Sequence, residues 1–463
     1  MHSTDKVPEP AVSGSGRGKC IKRIFQAAIV LGVFIFMNWL ASVGFDKLRV
    51  ADYYHYDLNQ LEKENTDIDL VVVGASQVIY ACNTELLARE MGLGGAVIDC
   101  ANPGSYCDGM YYMLKDLLQR FSPKYVVIDL PWSKFIDQTS ASMSRYLSAD
   151  RMSFPGKLDY AVHCMTMEEA FTVFCPLYRY GKWVMGPGQI KSRYLARKAI
   201  RDGNWGEDPK RKYRKNGFVW EDRSCPQGGI PALLYAFSYD DIREEYADYV
   251  RKMVKLCKEK GIPAALMTLP ASCANIYGIS NYQASVDYTQ DLADELGCPY
   301  LNFNLLKGRE DLFPDTVFWD TRHMNGEGSV AFTPVFVEAA GLAFRGEDTG
   351  ALFYKDVEEM KKDVHRIVAC SGTVTPNPDG TAGVEVWSLQ NEDITPQYRL
   401  MLVEKKAGAA DQNNRIQELS PWQEETTFLV DRSEIPEGYV LRVEARQKGN
   451  EEYDAFQNLS EEG

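Results

Sequence analysis

Three side chains with the chemistry of an acyl-transferring site stand at two distant places in the chain: Ser76, Asp320 and His323. A serine hydroxyl attacks a carbonyl when a base removes its proton, and a histidine held by a carboxylate can be that base. Asp320 precedes His323 by three residues, which lets the carboxylate orient the imidazole if the chain turns there. The residue types therefore predict a Ser–His–Asp triad, provided that the fold brings Ser76 to His323. The alternative for Ser76 is a turn or helix-cap serine.

Histidine is scarce in this sequence, which narrows the choice of base. Of the five histidines, His2 precedes a long apolar segment, His55 lies in a polar stretch and His365 begins the C-terminal region. His163 lies in an irregular region without an orienting acid apparent beside it. His323 has Asp320, and it is followed by the helix-start sequence Asn325-Gly326-Glu327-Gly328. A general base for Ser76 is therefore His163 or His323, and of the two His323 has the acid that could orient it.

The meeting of these side chains depends on a predicted parallel sheet. The apolar run 70–73, which ends at Gly74, is typical of a strand buried on both faces. Further strands are predicted over 96–100, 125–129, 263–269 and 299–301, alternating with helices over 84–91, 108–120, 240–260, 282–296 and 326–344. The alternation predicts an α/β fold with a flavodoxin-like, doubly wound parallel sheet. Sites in such sheets lie beyond the carboxyl ends of the strands, which is where Ser76 stands.

The N-terminal region predicts a membrane anchor. Residues 24–45 carry no charge, and 22 residues in a helix can cross a hydrocarbon core of about 30 Å. Arg17, Lys19, Lys22 and Arg23 precede this segment, so the positive-inside rule places the N-terminus in the cytoplasm and the bulk of the chain outside. The alternative is a cleaved signal peptide with a weak processing site at 42–44. We expect an uncleaved, single-pass anchor in the cell membrane.

Composition divides the rest of the chain. We expect a disordered cytoplasmic tail over 1–23, a stalk over 46–65, and an α/β domain over 66–345 with an insertion at 131–236 that covers the carboxyl face of the sheet. The insertion concentrates aromatic and basic residues at 178–183 and 210–215, which either bind an anionic polymer or lipid head groups or form a solvated loop. A charged linker over 346–364 leads to short, part-alternating strands over 365–463, typical of a small all-β, immunoglobulin-like sandwich.

Composition also excludes classes of function. The formal net charge of −14 argues against general nucleic-acid binding, which needs a basic face. The eleven cysteines include no Cys-x-x-Cys pair, so the sequence predicts no metal site. Ten of them are enough for disulfides in an oxidising space, but for most we expect small buried side chains. No cofactor is expected.

With these motifs in place, residues 69–344 resemble the SGNH/GDSL hydrolase superfamily. The resemblance rests on Gly74-Ala75-Ser76 at a strand end, the turn that contains Gly104, and Asp320-x-x-His323. It implies Ser76 as nucleophile, His323 as base and Asp320 as the residue that orients it, with the backbone N–H groups of Ser76 and Gly104 in an oxyanion hole.

Two features depart from the family pattern. Its first block usually has Gly-Asp-Ser, where this chain has Ala75, as many anchored members do. Its Gly-x-Asn-Asp block, which supplies an oxyanion-hole asparagine, is missing after the third strand, where Asp129-Leu130-Pro131-Trp132 stands. The substitute donor that the sequence offers is Asn102.

The resemblance is strongest to membrane-anchored members that act in acylation of cell-surface polymers, such as alginate O-acetylation and teichoic-acid D-alanyl-transfer proteins. It implies transfer of an O-acetyl or similar group to a surface polysaccharide or teichoic acid through an acyl-serine, with a membrane-bound O-acyltransferase partner that delivers the group. The alternatives are an esterase that removes acyl groups from surface carbohydrate and a non-catalytic component that binds a polymer or a partner.

Overall fold

The computed structural model describes residues 15–45, 50–136, 141–175, 178, 195, 211–404 and 415–459. Helix α1, Ser15–Phe45, contains the apolar segment Cys20–Asn38, which is long enough to cross a membrane and is nowhere buried within the protein. Both a membrane anchor and a signal sequence fit such a helix. The first 14 residues of the predicted tail lie outside the described residues, and the rest of that tail, from Ser15, belongs to α1.

The predicted stalk over 46–65 is wrong where it is described, because helix α2, Val50–Glu64, packs into the α/β domain. Tyr54, Leu58 and Leu61 recur at helical spacing, and each is at most 3% exposed inside the main apolar core. Exposed polar residues occupy the opposite face, so composition alone suggested a solvated spacer. The helix is instead the first covering element of the domain.

Acid should weaken the docking of α2, because the His55 side chain is held there in its neutral form. Burial, aided by the nearby cations Lys157, Arg151 and Arg120, lowers the pKa of His55 from 6.5 to about 4. The hydrogen bond that its Nε2 donates to the Asp150 carbonyl at 2.7 Å opposes this shift. The unfolded chain therefore binds this proton more tightly than the folded one. The stabilisation is fully present above pH 6.5 and is lost as the pH falls towards 4, up to about 3 kcal/mol.

Denaturant titrations of the full-length protein in detergent, with and without His55→Gln, measure this effect. The glutamine amide keeps a donor for the Asp150 carbonyl but does not titrate, so the variant should lose less unfolding free energy between pH 6.5 and pH 4. Equal losses in the two proteins would contradict the assignment.

The first half of the α/β domain alternates strands and helices as predicted. Its elements are β1 Ile68–Gly74, α3 Ser76–Ala81, α4 Thr84–Glu90, β2 Ala96–Ala101, α5 Cys107–Arg120 and β3 Tyr125–Asp129. Asn83 caps α4 by accepting a hydrogen bond from the Leu86 N–H at 3.2 Å. Every residue of β1 is buried, as expected for a strand covered on both faces.

Gly74 allows α3 to begin almost directly at the end of β1. A Cβ atom at this position would lie 2.3 Å from Cγ2 of Val78, a distance that packed carbon atoms do not adopt. Any larger residue would push the helix away from the strand. The missing side chain therefore fixes where Ser76, the first residue of α3, stands above the sheet.

The predicted insertion over 131–236 is more regular than expected. It contains α6 Ala141–Asp150, α7 Phe154–Cys164, α8 Met167–Phe174, β4 Arg211–Tyr213, β5 Val219–Glu221 and β6 Tyr235–Ala236. Tyr146, Tyr160 and Val173 lie in the same core as α5. The aromatic and basic run at 179–183 lies outside the described residues, and polymer binding by it stays a prediction.

The second half completes the sheet. Its elements are α9 Glu244–Glu259, β7 Ala264–Thr268, α10 Cys273–Gly278, β8 Ile279–Ser280, α11 Tyr282–Leu296, β9 Tyr300–Asn302, α12 Arg309–Leu312 and α13 Gly326–Phe344. The five central strands are parallel in the order β2-β1-β3-β7-β9. Counted along the chain this order is 2-1-3-4-5, which is that of flavodoxin-like sheets.

The predicted linker over 346–364 is wrong, because this segment packs on the α/β domain. The Tyr354 N–H donates to the Leu305 carbonyl at 2.7 Å. Helix α14, Val357–Lys362, buries Val357 and Met360 in an apolar cluster that is separate from the main core. The few apolar residues stand among many charges, which concealed their burial in the sequence. A cut in this segment would uncover that cluster.

The C-terminal region is all-β, as predicted. It contains β10 Ala369–Pro376, β11 Thr381–Leu389, β12 Pro396–Glu404, β13 Arg415–Glu418, β14 Thr427–Asp431, β15 Tyr439–Gln447 and β16 Ala455–Asn458. They form two antiparallel sheets, β10-β11-β14 and β13-β12-β15-β16, whose inner faces share one core. The immunoglobulin-like topology stays a prediction.

All eleven cysteines lie in the described residues, and none forms a disulfide. Seven are buried: Cys82, Cys100, Cys107, Cys175, Cys257, Cys273 and Cys370. The expectation of small buried side chains is confirmed for these.

Candidate active site

The structure brings together the three residues on which the sequence argument depends. The Ser76 Oγ lies 2.7 Å from the Nε2 of His323, and the Nδ1 of His323 lies 2.7 Å from the Oδ2 of Asp320. With a hydrogen on Nδ1 donated to the carboxylate, Nε2 is the acceptor for the serine hydroxyl. This is the predicted set of contacts, formed across 247 residues of chain.

The His323 loop is held by its own residues. The Oδ1 of Asp320 accepts the backbone N–H groups of Arg322 and His323, each at 2.8 Å, which bends the chain between them. Immediately after the loop, Asn325 caps α13 by accepting the Gly328 N–H at 2.9 Å. The same short sequence therefore supplies the carboxylate, the turn and the helix start that orient the imidazole.

Asp320 remains ionised in this arrangement. Its partial burial raises the pKa, but the hydrogen bond and charge of His323, together with the backbone N–H groups of Arg322 and His323, lower it by more. The net result is a pKa below the usual value. A negative carboxylate at this point stabilises the imidazolium that forms when His323 takes a proton.

Aromatic rings enclose the imidazole. Trp319 stacks on His323 with ring centroids 5.0 Å apart at 18°, and Tyr80 meets His323 edge-on at 5.7 Å. The Arg223 guanidinium lies 4.3 Å from the centroid of Trp319 and is itself paired with the buried Glu221. These contacts leave the imidazole few alternative orientations.

Gly104 stands in the predicted turn at the end of β2. The Ser105 N–H donates to the Asn102 carbonyl at 3.0 Å, and Gly104 has a φ of +68°, which suits glycine and few other residues. Gly104 is exposed, and a Cβ atom there would meet nothing within 4 Å. The turn therefore presents a bare backbone at the carboxyl edge of the sheet.

The Asn102 side chain does not join the three residues. It is buried, and its Nδ2 contacts the Pro103 carbonyl at 3.4 Å and the Ser148 Oγ of α6 at 3.5 Å. Among the described residues it makes no hydrogen bond to Ser76 or His323. An oxyanion donor bonds the substrate oxygen rather than Ser76 or His323, so the role of Asn102 as substitute donor stays a prediction.

Lys134 is the charged residue of this region that the sequence argument missed. It ends a short 3₁₀ turn, Trp132–Lys134, directly after β3, and it is 3% exposed. Its Nζ donates to the Ser105 carbonyl, at the end of the Gly104 turn. Burial lowers the pKa of Lys134, the carboxylates of Asp129 and Asp108 oppose this, and the positive charge of Arg322, beside His323, adds to it. The signal in the sequence is a lysine within an apolar stretch at a strand end.

The other candidate base, His163, is not part of this site. Its Nδ1 lies 3.2 Å from the Oδ1 of Asp159, four residues earlier, so an acid does stand beside it, contrary to the interpretation of the sequence. The side chain is 58% exposed on α7. Among the described residues no nucleophilic hydroxyl forms a hydrogen bond with it.

Comparisons with known proteins add little to this geometry. No family model and no curated protein matches the chain. A GDSL-like lipase from Bacteroides thetaiotaomicron VPI-5482 is similar to it at 11% identity and a TM-score of 0.28, over 63% of this chain and 100% of the lipase. A GH3 beta-glucosidase from Bifidobacterium adolescentis is similar at 10% identity and a TM-score of 0.12, over 86% of this chain and 74% of the glucosidase. Likenesses this slight assign neither family nor activity.

Proposed function

We propose that this chain is a membrane-anchored serine acyltransferase that moves an acyl group to a cell-surface glycopolymer through an acyl-Ser76 intermediate. The observation that carries the proposal is the pair of 2.7 Å contacts from Ser76 through His323 to Asp320. A cap serine needs no imidazole at its hydroxyl, and a structural histidine needs no nucleophile. The pairing also argues against a purely binding role.

The arrangement supports a two-stage reaction. His323 Nε2 takes the Ser76 proton while Oγ attacks the acyl carbonyl, and Asp320 stabilises the imidazolium. The oxyanion forms beside the backbone N–H of Ser76, which as the first residue of α3 has no acceptor within the helix, and beside the Gly104 turn. The leaving group takes the proton from His323. An acceptor hydroxyl then gives its proton to Nε2 and attacks the acyl-serine carbonyl. The bond from the carbonyl carbon to Ser76 Oγ breaks, Oγ takes the proton back from His323, and the acylated product leaves.

The missing Gly-x-Asn-Asp block favours transfer over hydrolysis. Asp129-Leu130-Pro131-Trp132 stands in its place and lacks the asparagine that donates to the oxyanion in the family. Loss of one oxyanion donor costs about 10²–10³ in rate in a hydrolase, and a donor presented in register offsets much of that by proximity. The proposed donor is a membrane-bound O-acyltransferase partner, because a single span offers no route for an activated acyl group. The proposed acceptor is a surface polysaccharide or teichoic acid. This assignment places the protein in the cell membrane with its bulk outside.

Acylation of the surface polymer in cells tests the proposal. Strains carrying Ser76→Ala, or lacking the membrane partner, should both lose acyl groups from the polymer, and purified full-length protein should hydrolyse p-nitrophenyl acetate only slowly. An esterase, with water as the acceptor in the same site, would give the opposite result in cells. More acyl groups on the polymer in the Ser76→Ala strain would establish that alternative.

Lys134 should increase the rate of Ser76 acylation without raising the thermal stability of the protein. Its ammonium ties the carbonyl end of the Gly104 turn to the end of β3, so Lys134→Met should release the turn and slow acylation of Ser76 by roughly 10²-fold. A buried cation is costly to keep, and the apolar substitution removes that cost, so the midpoint of thermal unfolding should stay or rise. The rate of fluorophosphonate labelling and the melting curve measure the two effects together.

Lys134→Arg is the matched control. It keeps the charge and a donor and should recover part of the labelling rate. A purely structural lysine would behave differently, because Lys134→Met would then lower the melting temperature and leave the labelling rate of the folded fraction unchanged.

A further inference from the structure

Helices α7 and α8 carry an apolar face whose side chains are left half or more exposed by the described part of the chain. Phe154, Leu158 and Val162 follow one another at four-residue spacing on α7 and are 69%, 50% and 71% exposed. On α8, Met167 and Phe171 have the same spacing and are 75% and 50% exposed. A row of large apolar side chains in water marks an interaction surface. We call these five residues the apolar face.

The apolar face is not a consequence of loose packing, because the other sides of the two helices are fixed. Tyr160 and Val173 are buried in the core against α5. Asp116 of α5 accepts the backbone N–H of Ser153 at 2.8 Å, and Lys115 pairs with Asp159 at 2.6 Å. The helices are therefore held with this face directed away from the domain.

The position of the membrane span identifies what covers the apolar face. Asn38, the last residue of the segment Cys20–Asn38, donates from Nδ2 to the Phe174 carbonyl at the end of α8 at 3.0 Å, and its Oδ1 lies 3.3 Å from the Cys175 Sγ. Phe174 in turn meets Phe154, with ring centroids 6.0 Å apart. The apolar face thus begins where the span ends.

The length of the span sets the depth of this point. Nineteen helical residues extend about 28 Å, close to the thickness of a hydrocarbon core. Counted over Cys20–Asn38, the end of α8 lies at the outer boundary of the hydrocarbon. Counted over the uncharged residues 24–45 of α1, it lies about 10 Å inside that boundary. Interfacial helices bury an apolar face about 5–10 Å deep, so both counts place the end of α8 at the membrane interface.

We propose that the apolar face of α7 and α8 lies in the outer leaflet and docks the α/β domain on the bilayer. The inference rests on the proposed membrane anchor and extends it, since the span alone would leave the domain free to swing. Two attachments at one height, one spanning and one interfacial, fix the orientation of the domain and keep Ser76 at a constant distance from the membrane. An acyl donor presented by a membrane protein would meet it there.

Nitroxide scanning of the full-length protein in vesicles of phosphatidylcholine and phosphatidylglycerol tests the docking. One variant is Val162→Cys on the apolar face. The matched control is Leu429→Cys on the C-terminal sandwich, because both side chains are 71% exposed. The labelled protein without an added cysteine supplies the background from Cys20 and the other native thiols. The collision rates of each nitroxide with oxygen, which concentrates in lipid, and with a water-soluble nickel chelate are compared.

The nitroxide at 162 should collide more with oxygen than with the chelate, and the nitroxide at 429 should show the reverse. Equal chelate access at the two positions would overturn the proposal. An immobilised nitroxide at 162 that neither reagent reaches would also overturn it, since it would show contact with a second copy of the chain. Flotation of the vesicles separates this test from the anchor: loss of the protein from the floating fraction rejects the anchor, whereas floating protein with a water-exposed position 162 rejects only the docking.

Discussion

Replacing Ser76 with alanine should abolish covalent labelling of the full-length protein by a fluorophosphonate and lower the rate of acyl transfer by roughly 10⁶-fold, as loss of the nucleophile does in serine hydrolases. The physical reason is that the described site provides one activated hydroxyl, at 2.7 Å from an imidazole that is itself held by a carboxylate. Alanine suits the first turn of α3, so the fold should survive. Labelling is measured by mass on the intact protein, and circular dichroism checks the fold.

Ser433→Ala is the control for this substitution. Ser433 is exposed, lies in the C-terminal sandwich, and uses its hydroxyl to donate to Asp431 rather than to a base. This variant should label like the unsubstituted protein. A labelled serine that persists after Ser76→Ala would place the nucleophile elsewhere and remove the basis of the proposed function.

Asp320→Asn should slow the reaction by roughly 10⁴-fold while leaving the loop intact. An asparagine keeps the carbonyl oxygen that accepts the N–H groups of Arg322 and His323, so the turn survives. Its amide, however, cannot accept the Nδ1 hydrogen of His323. It donates to Nδ1 instead and favours the tautomer with the hydrogen on Nε2, which has no lone pair for the serine proton. The second-order rate of fluorophosphonate inactivation measures the loss.

The same measurement on Asp311→Asn controls for the change of charge. Asp311 is exposed on α12, nine residues before Asp320, and should tolerate the substitution without effect. A rate for Asp320→Asn within tenfold of the unsubstituted protein would show that the carboxylate is structural only.

The sequence was most informative where a residue acts through its own neighbours. The run before Gly74 and the bounds of α11 and α13 follow from local patterns, and the meeting of Ser76 with His323 follows from a general property of parallel sheets. Each of these depends on contacts within one element or on the carboxyl edge that all the strands share.

The sequence was least informative where a residue acts across elements. The three buried apolar residues of α2 are separated by polar ones that define the composition of the helix, so its burial becomes visible only when its packing partners are in place. Lys134 looks like any lysine until its ammonium is found against the Ser105 carbonyl. In α7 the apolar residues on two faces erased the amphipathic pattern, because one face serves the core and the other the surface.

The absence of disulfides among the eleven cysteines determines how the protein responds to oxidants and reductants. Burial raises the pKa of the Cys100 and Cys107 thiols to about 12, so at neutral pH almost none of either is thiolate, the form that reacts with oxidants and alkylating agents. Because no disulfide stabilises the fold, an excess of reductant should leave its stability unchanged. The protein should therefore reach its native state without help from a thiol oxidase, and the Cys100 and Cys107 thiols should stay unmodified while it is folded.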